Sequence, residues 1–298
     1  MKVRATCRWV AEVVLRAELS GREGIRTIRN PRPMGLEALP PSLRDALDGV
    51  VAACCEAFGD ALRCVIVKGS ALKGDFLLGY SDLDVHAFVD PDTLVGDRTP
   101  TLDHALRFQE AIGDMAPRDA GASQFQVYFL RADRPPEDWT PAVPGSYAVV
   151  YGEPPPALTN WRDADFVGQA VRNLAGIPGE VLMLTGRILD KPDTSLAAYV
   201  RLAGTFVKGR AYSAAIRASG DPERALGMRT TKLLRYLESV DPSLAAVRRF
   251  FDFAANWEQV ERDPPYARDA FRAAIAALET LGTWAKSREA EFPNGERI

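Results

Sequence analysis

The chain has 298 residues, of which 47% are hydrophobic and 26% charged, and its formal net charge is −3. This composition is typical of a globular protein long enough for two modest domains. The near-neutral balance and the lack of a Lys/Arg block argue against a protein that binds nucleic acid over a broad basic surface. No apolar run approaches the ~20 residues that a membrane-spanning helix requires. The chain has only two histidines, which argues against a histidine-rich metal site and against most Ser-His-Asp mechanisms.

Residues 1–35 are expected to form an N-terminal extension with an amphipathic helix. A signal peptide is disfavoured because Glu12 interrupts the apolar segment and no small-residue cleavage site follows it. The four cysteines, Cys7, Cys54, Cys55 and Cys64, have neither zinc-site spacing nor the number that a disulfide scaffold needs. The sequence therefore predicts a reducing, cytoplasmic setting.

The segment 36–156 is predicted to be a mixed sheet with flanking helices. Its apolar spacing and turn residues predict, in order, a helix over 43–58, a strand ending at the Gly69-Ser70 turn, a strand over 83–90, a helix over 101–115, a strand over 123–130 and a strand from Ser146.

The segment 157–298 changes to Ala-, Leu- and Arg-rich stretches with helical spacing, and the junction is expected near Pro154 to Pro156. Helices are predicted over 165–176, 179–189, 195–219, 229–240, 243–261 and 267–292. The fold class is therefore α+β, a mixed-sheet domain followed by a C-terminal helical bundle. A cleft between two such domains is a common place for a ligand.

The stretch "GSALKGDFLLGYSDLDV" carries the strongest chemical signal. Asp82 and Asp84 are two apart on a predicted strand, so they point to the same side, while Leu83 and Val85 make the other face apolar. Two like charges in one small space raise each other's pKa unless a cation lies between them. A divalent ion is the expected cation, and the alternative is a β-hairpin with a solvated Asp pair.

This stretch resembles the signature of the nucleotidyltransferase superfamily, the DNA polymerase beta-like group, in which a Gly-Ser turn precedes Ser-Asp-x-Asp. The matching residues are Gly69, Ser70, Gly74, Ser81, Asp82 and Asp84. The order of an α/β domain and a helical bundle resembles the aminoglycoside nucleotidyltransferases. The resemblance implies transfer of a nucleoside monophosphate from ATP or another NTP, with Mg²⁺ as the cofactor.

The resemblance also implies roles for individual residues. Asp82 and Asp84 would hold Mg²⁺, Gly69 would let the backbone approach a phosphate, and Lys73 would contact the triphosphate. The hydroxyls of Ser70 and Ser81 would bond phosphate oxygens. Lys208 in the helical half is a second phosphate contact, with a solvated lysine on a helix face as the equal alternative.

Three further residues have less direct assignments. Family members carry a third carboxylate on a later strand, and here that position holds Gln126, which can ligate an ion through its amide oxygen but cannot act as a base. The nearest acid, Asp133, lies beyond the strand. Glu180, at a predicted helix start, is the candidate general base, and the more common alternative is a first-turn glutamate that only interacts favourably with the helix dipole. His86, on the strand face of Asp84, is expected to orient a carboxylate or contact a ligand, with a satisfied half-buried histidine as the equal alternative.

Three functions follow as expectations. The first is a metal-dependent nucleotidyltransferase that modifies a hydroxyl of a small molecule, with an aminoglycoside-like antibiotic as the example. The second is AMP transfer to a protein or RNA, as in antitoxin-like relatives, and the third is a non-catalytic nucleotide-binding module. An acidic acceptor pocket would favour the cationic aminoglycosides, and a basic groove would favour RNA. No membrane partner is expected, and the oligomeric state is left open, with a dimer considered.

Overall fold

The computed structural model describes residues 36, 39–134, 136, 139, 142–143, 146–159 and 162–288. The predicted N-terminal helix, Cys7 and the end of the last predicted helix lie outside the described residues. The architecture is α+β, with a mixed four-stranded sheet, a small two-stranded sheet and a helical C-terminal part. Among the described residues, no helix is both long and apolar enough to cross a membrane.

The main sheet contains all four predicted strands. In chain order, the strands of the structure are β1 (Leu62–Lys68), β2 (Leu83–Val89), β3 (Leu94–Val95), β4 (Thr99–Pro100), β5 (Phe125–Arg131) and β6 (Tyr147–Gly152). The order in the main sheet is β5-β2-β1-β6, with β1 antiparallel to both neighbours and β2 parallel to β5. The β3–β4 pair was not predicted, because two-residue strands are too short to show an alternation pattern.

Three helices accompany the sheet, namely α1 (Pro41–Phe58), α2 (Ser70–Lys73) and α3 (Leu102–Ile112). The first and third confirm predicted helices. Helix α1 buries Leu43, Leu47, Val50 and Cys54, a spacing that places them on one helix face. That face covers the side of the sheet to which Leu83 and Val85 point, since all of these residues share one core.

The other side of the sheet carries the polar residues, arranged in rows across the strands. Asp84 on the central strand lies opposite Lys68 on one side and Gln126 on the other. The next row along β2 contains His86, opposite Tyr128 of β5. The register therefore places a charged row beside a row of aromatic rings on one face.

The C-terminal part is entirely helical within the described residues. Its helices are α4 (Pro156–Thr159), α5 (Asp163–Ala175), α6 (Ile177–Ile188), α7 (Leu196–Ser219), α8 (Pro222–Leu226), α9 (Thr230–Val240), α10 (Ala245–Ala255), α11 (Trp257–Arg262) and α12 (Pro264–Ser287). Helix α7 is central, because it packs on both α5 and α12. Its Gly204 leaves room for the Tyr80 hydroxyl and the Phe250 ring.

Two helix predictions need correction. The helix expected over 243–261 is two helices, because the backbone leaves the helical conformation at Asn256 (φ −106°, ψ 46°). The last helix begins at Pro264, three residues before its predicted start. Asp263 caps it by accepting from the Tyr266 amide at 3.3 Å, and proline is well suited to the first helical turn.

The loop between α2 and β2 joins the two halves of the molecule. Leu77 and Tyr80 pack against the core of the helical part, and the Tyr80 ring lies 4.9 Å from that of Trp257. Asp75 accepts a hydrogen bond from the backbone amide of Thr230 at 2.6 Å, at the start of α9. At the predicted junction, Leu158 of α4 packs within the sheet's second core. The loop therefore holds the polar sheet face towards the helices.

Candidate functional site

A cavity of about 490 Å³ lies between the polar face of the sheet and helices α5 and α7. It brings together most of the residues that the sequence singled out. Those that line it are Gly69, Ser70, Lys73, Ser81, Asp82, Asp84, His86, Gln126 and Lys208.

The Asp pair projects into this cavity as the strand alternation predicts. Leu83 and Val85, on the other face, are fully buried. Ser123 donates a hydrogen bond to Asp82. Burial raises the pKa of Asp84, and the ammonium groups of Lys68 and Lys208 oppose this increase. The two carboxylates are half-buried and line the cavity, so the pair is not the fully solvated one of the hairpin alternative.

Gln126 lies beside the two carboxylates, in register with Asp84. With its amide nitrogen towards the acids, it donates to Asp84 Oδ1 at 2.9 Å and to Asp82 Oδ2 at 3.3 Å, and its oxygen accepts from the Tyr128 hydroxyl. This orientation is assigned from the neighbours, because the reverse one would point the amide oxygen at carboxylate oxygens. The side chain therefore connects the two acids through a neutral donor.

The turn after β1 has a conformation that only glycine adopts easily. Gly69 has φ 85°, and a Cβ placed there would overlap the Asp84 carboxylate. The hydroxyl of Ser81 accepts from the Leu77 amide at 2.9 Å, so it stabilises the loop. Ser70 is buried at the cavity wall. The glycine thus allows the turn and the carboxylate to lie in contact.

Basic side chains occupy the cavity wall near this turn. Burial lowers the pKa of Lys73 to about 7, and Lys208 adds to the effect. The Lys73 ammonium lies 3.1 Å from the Tyr212 hydroxyl, which itself donates to the Met228 carbonyl at 2.7 Å. Burial also lowers the pKa of Lys68, although Asp84 opposes the change. These ammonium groups have lost water, and they would be stabilised by an anion.

His86 is almost completely buried, with 2% of its surface exposed, and neither ring nitrogen has a hydrogen-bond partner. Its ring lies 5.1 Å from that of Tyr128 and 5.8 Å from that of Trp139. Burial, followed by the charges of Lys68 and Arg98, lowers its pKa. The ring is therefore neutral at physiological pH and forms part of an aromatic wall.

Glu180 is not among the residues that line the cavity. It forms a bidentate ion pair with Arg210, and the two side chains are only 13% and 15% exposed. Its carboxylate contacts the Arg210 guanidinium and lies outside the cavity, so the prediction that Glu180 is the general base receives no support. The acids near the predicted domain junction, Glu153, Asp163 and Asp165, also lie outside the lining.

Several lining residues were not identified from the sequence, among them Lys68, Arg98, Trp139, Asn173, Arg201 and Tyr212. A signal existed for Lys68, since this lysine continues an apolar strand up to the Gly-Ser turn, and lysine is uncommon in such a strand. The remaining ones come from the β3–β4 region, from a loop and from helix faces. Their position depends on how the two halves pack.

Within the part of the chain that the structure describes, no group of three or more His, Cys, Asp or Glu side chains is arranged to hold a metal ion. The chain matches no known protein-family description and no curated protein.

Proposed function

We propose that the protein is a metal-dependent nucleotidyltransferase that moves a nucleoside monophosphate from ATP or another NTP to an acceptor hydroxyl. The observation that carries the proposal is the cavity itself, which Asp82 and Asp84 line together with the Gly69 turn and two half-buried lysines, Lys73 and Lys68. Acids beside partly desolvated cations suit a bound metal with a polyphosphate.

Phosphate binding is the role proposed for the turn and the lysines. Gly69 has no side chain that would keep a phosphate away from the backbone of the turn, and Lys73 and Lys208 line the same cavity. Because burial has already removed water from Lys73, an incoming anion regains the electrostatic interaction that the ammonium lacks.

The donor set fits Mg²⁺ as the cofactor. Mg²⁺ is commonly held by one or two carboxylates and completes its shell with substrate phosphates and water. Asp82 and Asp84 would hold it, and the Gln126 amide, once turned, offers a neutral oxygen. When bound, the ion shields the phosphate charges and stabilises the charge that develops on the leaving group.

The reaction needs little covalent chemistry from the chain. The acceptor oxygen forms a bond to the α-phosphorus, the bond from that phosphorus to the bridging oxygen breaks, and pyrophosphate leaves with the electron pair. The hydroxyl proton is released to one of the two carboxylates or to solvent. Because the transition state is loose, positioning and electrostatics dominate, so the lack of a third carboxylate is compatible with transfer.

A second function is favoured by one specific observation. Gln126 already satisfies both carboxylates with hydrogen bonds, and Lys68 lies opposite Asp84. A site whose acids are satisfied without a metal suits a module that binds nucleotide and performs no transfer.

The cytoplasmic location is also a proposal, supported by the free thiols of Cys54, Cys55 and Cys64.

The test separates binding from transfer. Isothermal titration with a non-hydrolysable NTP and Mg²⁺ measures binding, and pyrophosphate release with each NTP and an acceptor panel measures transfer. Lys208→Ala should weaken binding by about 1.5–3 kcal/mol, while Lys232→Ala, at an exposed position of α9, is the matched control. Binding without pyrophosphate release on any acceptor would establish the second function, and absence of binding would reject both.

A further inference from the structure

The cavity extends along the sheet beyond the carboxylates. Lys68 lies opposite Asp84 in the sheet, and the Gly69 turn and Lys73 follow Lys68 in the chain. His86 lies in the next row along β2, on the side of Asp84 away from this turn. In phosphoryl transfer the attacking and leaving oxygens are roughly in line. If pyrophosphate leaves towards the turn, the acceptor therefore enters from the side of His86.

This side has buried polar atoms without partners. Both ring nitrogens of His86 and the indole nitrogen of Trp139 are buried and make no hydrogen bond, and both residues line the cavity. Buried polar groups in proteins are nearly always paired, and an unpaired one calls for an explanation. The indole donates only, and an imidazole has at least one donor nitrogen in either protonation state. A ligand with acceptor oxygens would satisfy these donors.

The charge around the cavity points to the same kind of ligand. Among the described lining residues, Asp82 and Asp84 are the only carboxylates, whereas five side chains are basic. The basic residues are Lys68, Lys73, Arg98, Arg201 and Lys208. A polycationic aminoglycoside would meet repulsion here and would find no acid except the pair assigned to the metal.

We propose that His86, Arg98, Tyr128 and Trp139, here called the aromatic end, bind an anionic group of a small hydroxyl-bearing acceptor. The group is a phosphate or a carboxylate, and the rings supply an apolar wall for the rest of the acceptor. This inference rests on the proposed transfer reaction, whose bond changes it leaves unaltered. It replaces the aminoglycoside-like acceptor that the resemblance suggested.

The first experiment uses matched ligands that share one scaffold. Glucose, glucose 6-phosphate and glucosamine form one set, and a nucleoside, its 5′-monophosphate and its 5′-amino derivative form another. Each is titrated into the protein already saturated with a non-hydrolysable NTP and Mg²⁺, so that the triphosphate site is filled. The phosphorylated member should bind at least about tenfold more tightly than the neutral one, the worth of one charge-assisted hydrogen bond. Preference for the amino member in both sets would overturn the inference.

The second experiment assigns this selectivity to named residues. His86→Leu and Trp139→Phe should each reduce the affinity for the phosphorylated ligand about 10–100-fold. Both should leave affinity for the NTP analogue within about twofold. His86→Leu should keep or raise the unfolding midpoint, because its ring nitrogens have no partner to lose. Trp284→Phe is the matched control, since that indole nitrogen is also buried and unpaired but lies in the helical core, away from the cavity.

The outcomes separate this inference from the proposed function. If the two variants weaken binding of the NTP analogue instead, the aromatic end holds the nucleobase, and the acceptor assignment is wrong while transfer stands. If the wild type binds no NTP analogue, the proposed function fails regardless of the acceptor results. Tighter binding of a short oligoribonucleotide than of any small ligand would overturn the small-acceptor assignment alone.

Discussion

Replacing Gln126 with glutamate tests the most unusual feature of the site. Glutamate has the same length as glutamine, so its carboxylate would take the position from which the amide donates to Asp84 at 2.9 Å and to Asp82 at 3.3 Å. The substitution removes two hydrogen bonds to charged groups and adds a third negative charge.

The expected cost to the metal-free protein follows from these distances. Two like charges about 4 Å apart repel by about 1 kcal/mol in water and by about 4 kcal/mol at an effective dielectric constant of about 20. Partial protonation of the three acids relieves some of this repulsion. A net loss of roughly 2–4 kcal/mol in unfolding free energy is expected, which for a chain of 298 residues corresponds to a midpoint lower by roughly 3–6 °C.

Thermal unfolding at pH 7.5 measures two quantities. The midpoint in EDTA gives the stability without metal, and the midpoints over a series of Mg²⁺ concentrations give the stabilisation by the ion. Without metal, Gln126→Glu should unfold at a lower temperature than the wild type. Mg²⁺ should raise its midpoint more than it raises that of the wild type, because an ion that binds the folded state between three acids stabilises it. Gln124→Glu, at an exposed position two residues earlier, adds the same charge outside the cavity and should show neither change. If Gln126→Glu were as stable as the wild type in EDTA, the amide would not bridge the two acids.

Four further changes have definite expected results. Asp84→Asn should abolish transfer yet leave the metal-free fold equally stable or more stable in urea, because burial disfavours the ionised form of Asp84. Gly69→Ala should reduce both stability and Mg²⁺-dependent NTP binding, because its Cβ would displace the Asp84 carboxylate. The pKa of Lys73 is about 7 in the folded protein, against the ordinary value of 10.5. Between these two pH values the unfolded chain binds more protons, so the stability of the wild type increases with pH. Lys73→Met should lack this increase. Glu180→Gln should leave the transfer rate unchanged and lower the unfolding midpoint, since Arg210 loses a largely buried ionic partner.

Each of these changes has its own control and its own contradicting result. Gly220→Ala places alanine at a similar positive φ of 65° with no atom within 4 Å of the new Cβ. It should cost stability alone, so equal loss of NTP binding in both glycine variants would exclude a specific role for the turn. Normal transfer by Asp84→Asn would show that this acid does not hold the metal. A pH slope retained in Lys73→Met would assign it to Lys68, whose pKa is lowered in the same direction. A large rate loss in Glu180→Gln would return Glu180 to the list of bases.

Local sequence pattern determined the elements that carry the Asp pair. Strand β2 is recognisable because Leu83 and Val85 alternate with Asp82 and Asp84, and alternation is a property of the extended chain itself. The Gly69-Ser70 turn is likewise local, since a positive φ requires glycine wherever the chain goes afterwards. The position of Gln126 next to the acids was also reached from sequence, through the resemblance, and the parallel register of β5 with β2 agrees with it.

Only the tertiary structure placed Glu180 in an ion pair outside the cavity and brought together the residues of the aromatic end. Glu180 and Arg210 are thirty residues apart, and no local pattern indicates that two residues on different helices form an ion pair. Arg98, Trp139 and Arg201 come from three separate segments and meet at one cavity. The cavity's excess of basic residues is therefore invisible in a chain whose net charge is −3. Net charge sums over the whole surface, whereas the electrostatic environment of a ligand depends on the few side chains that packing brings around it.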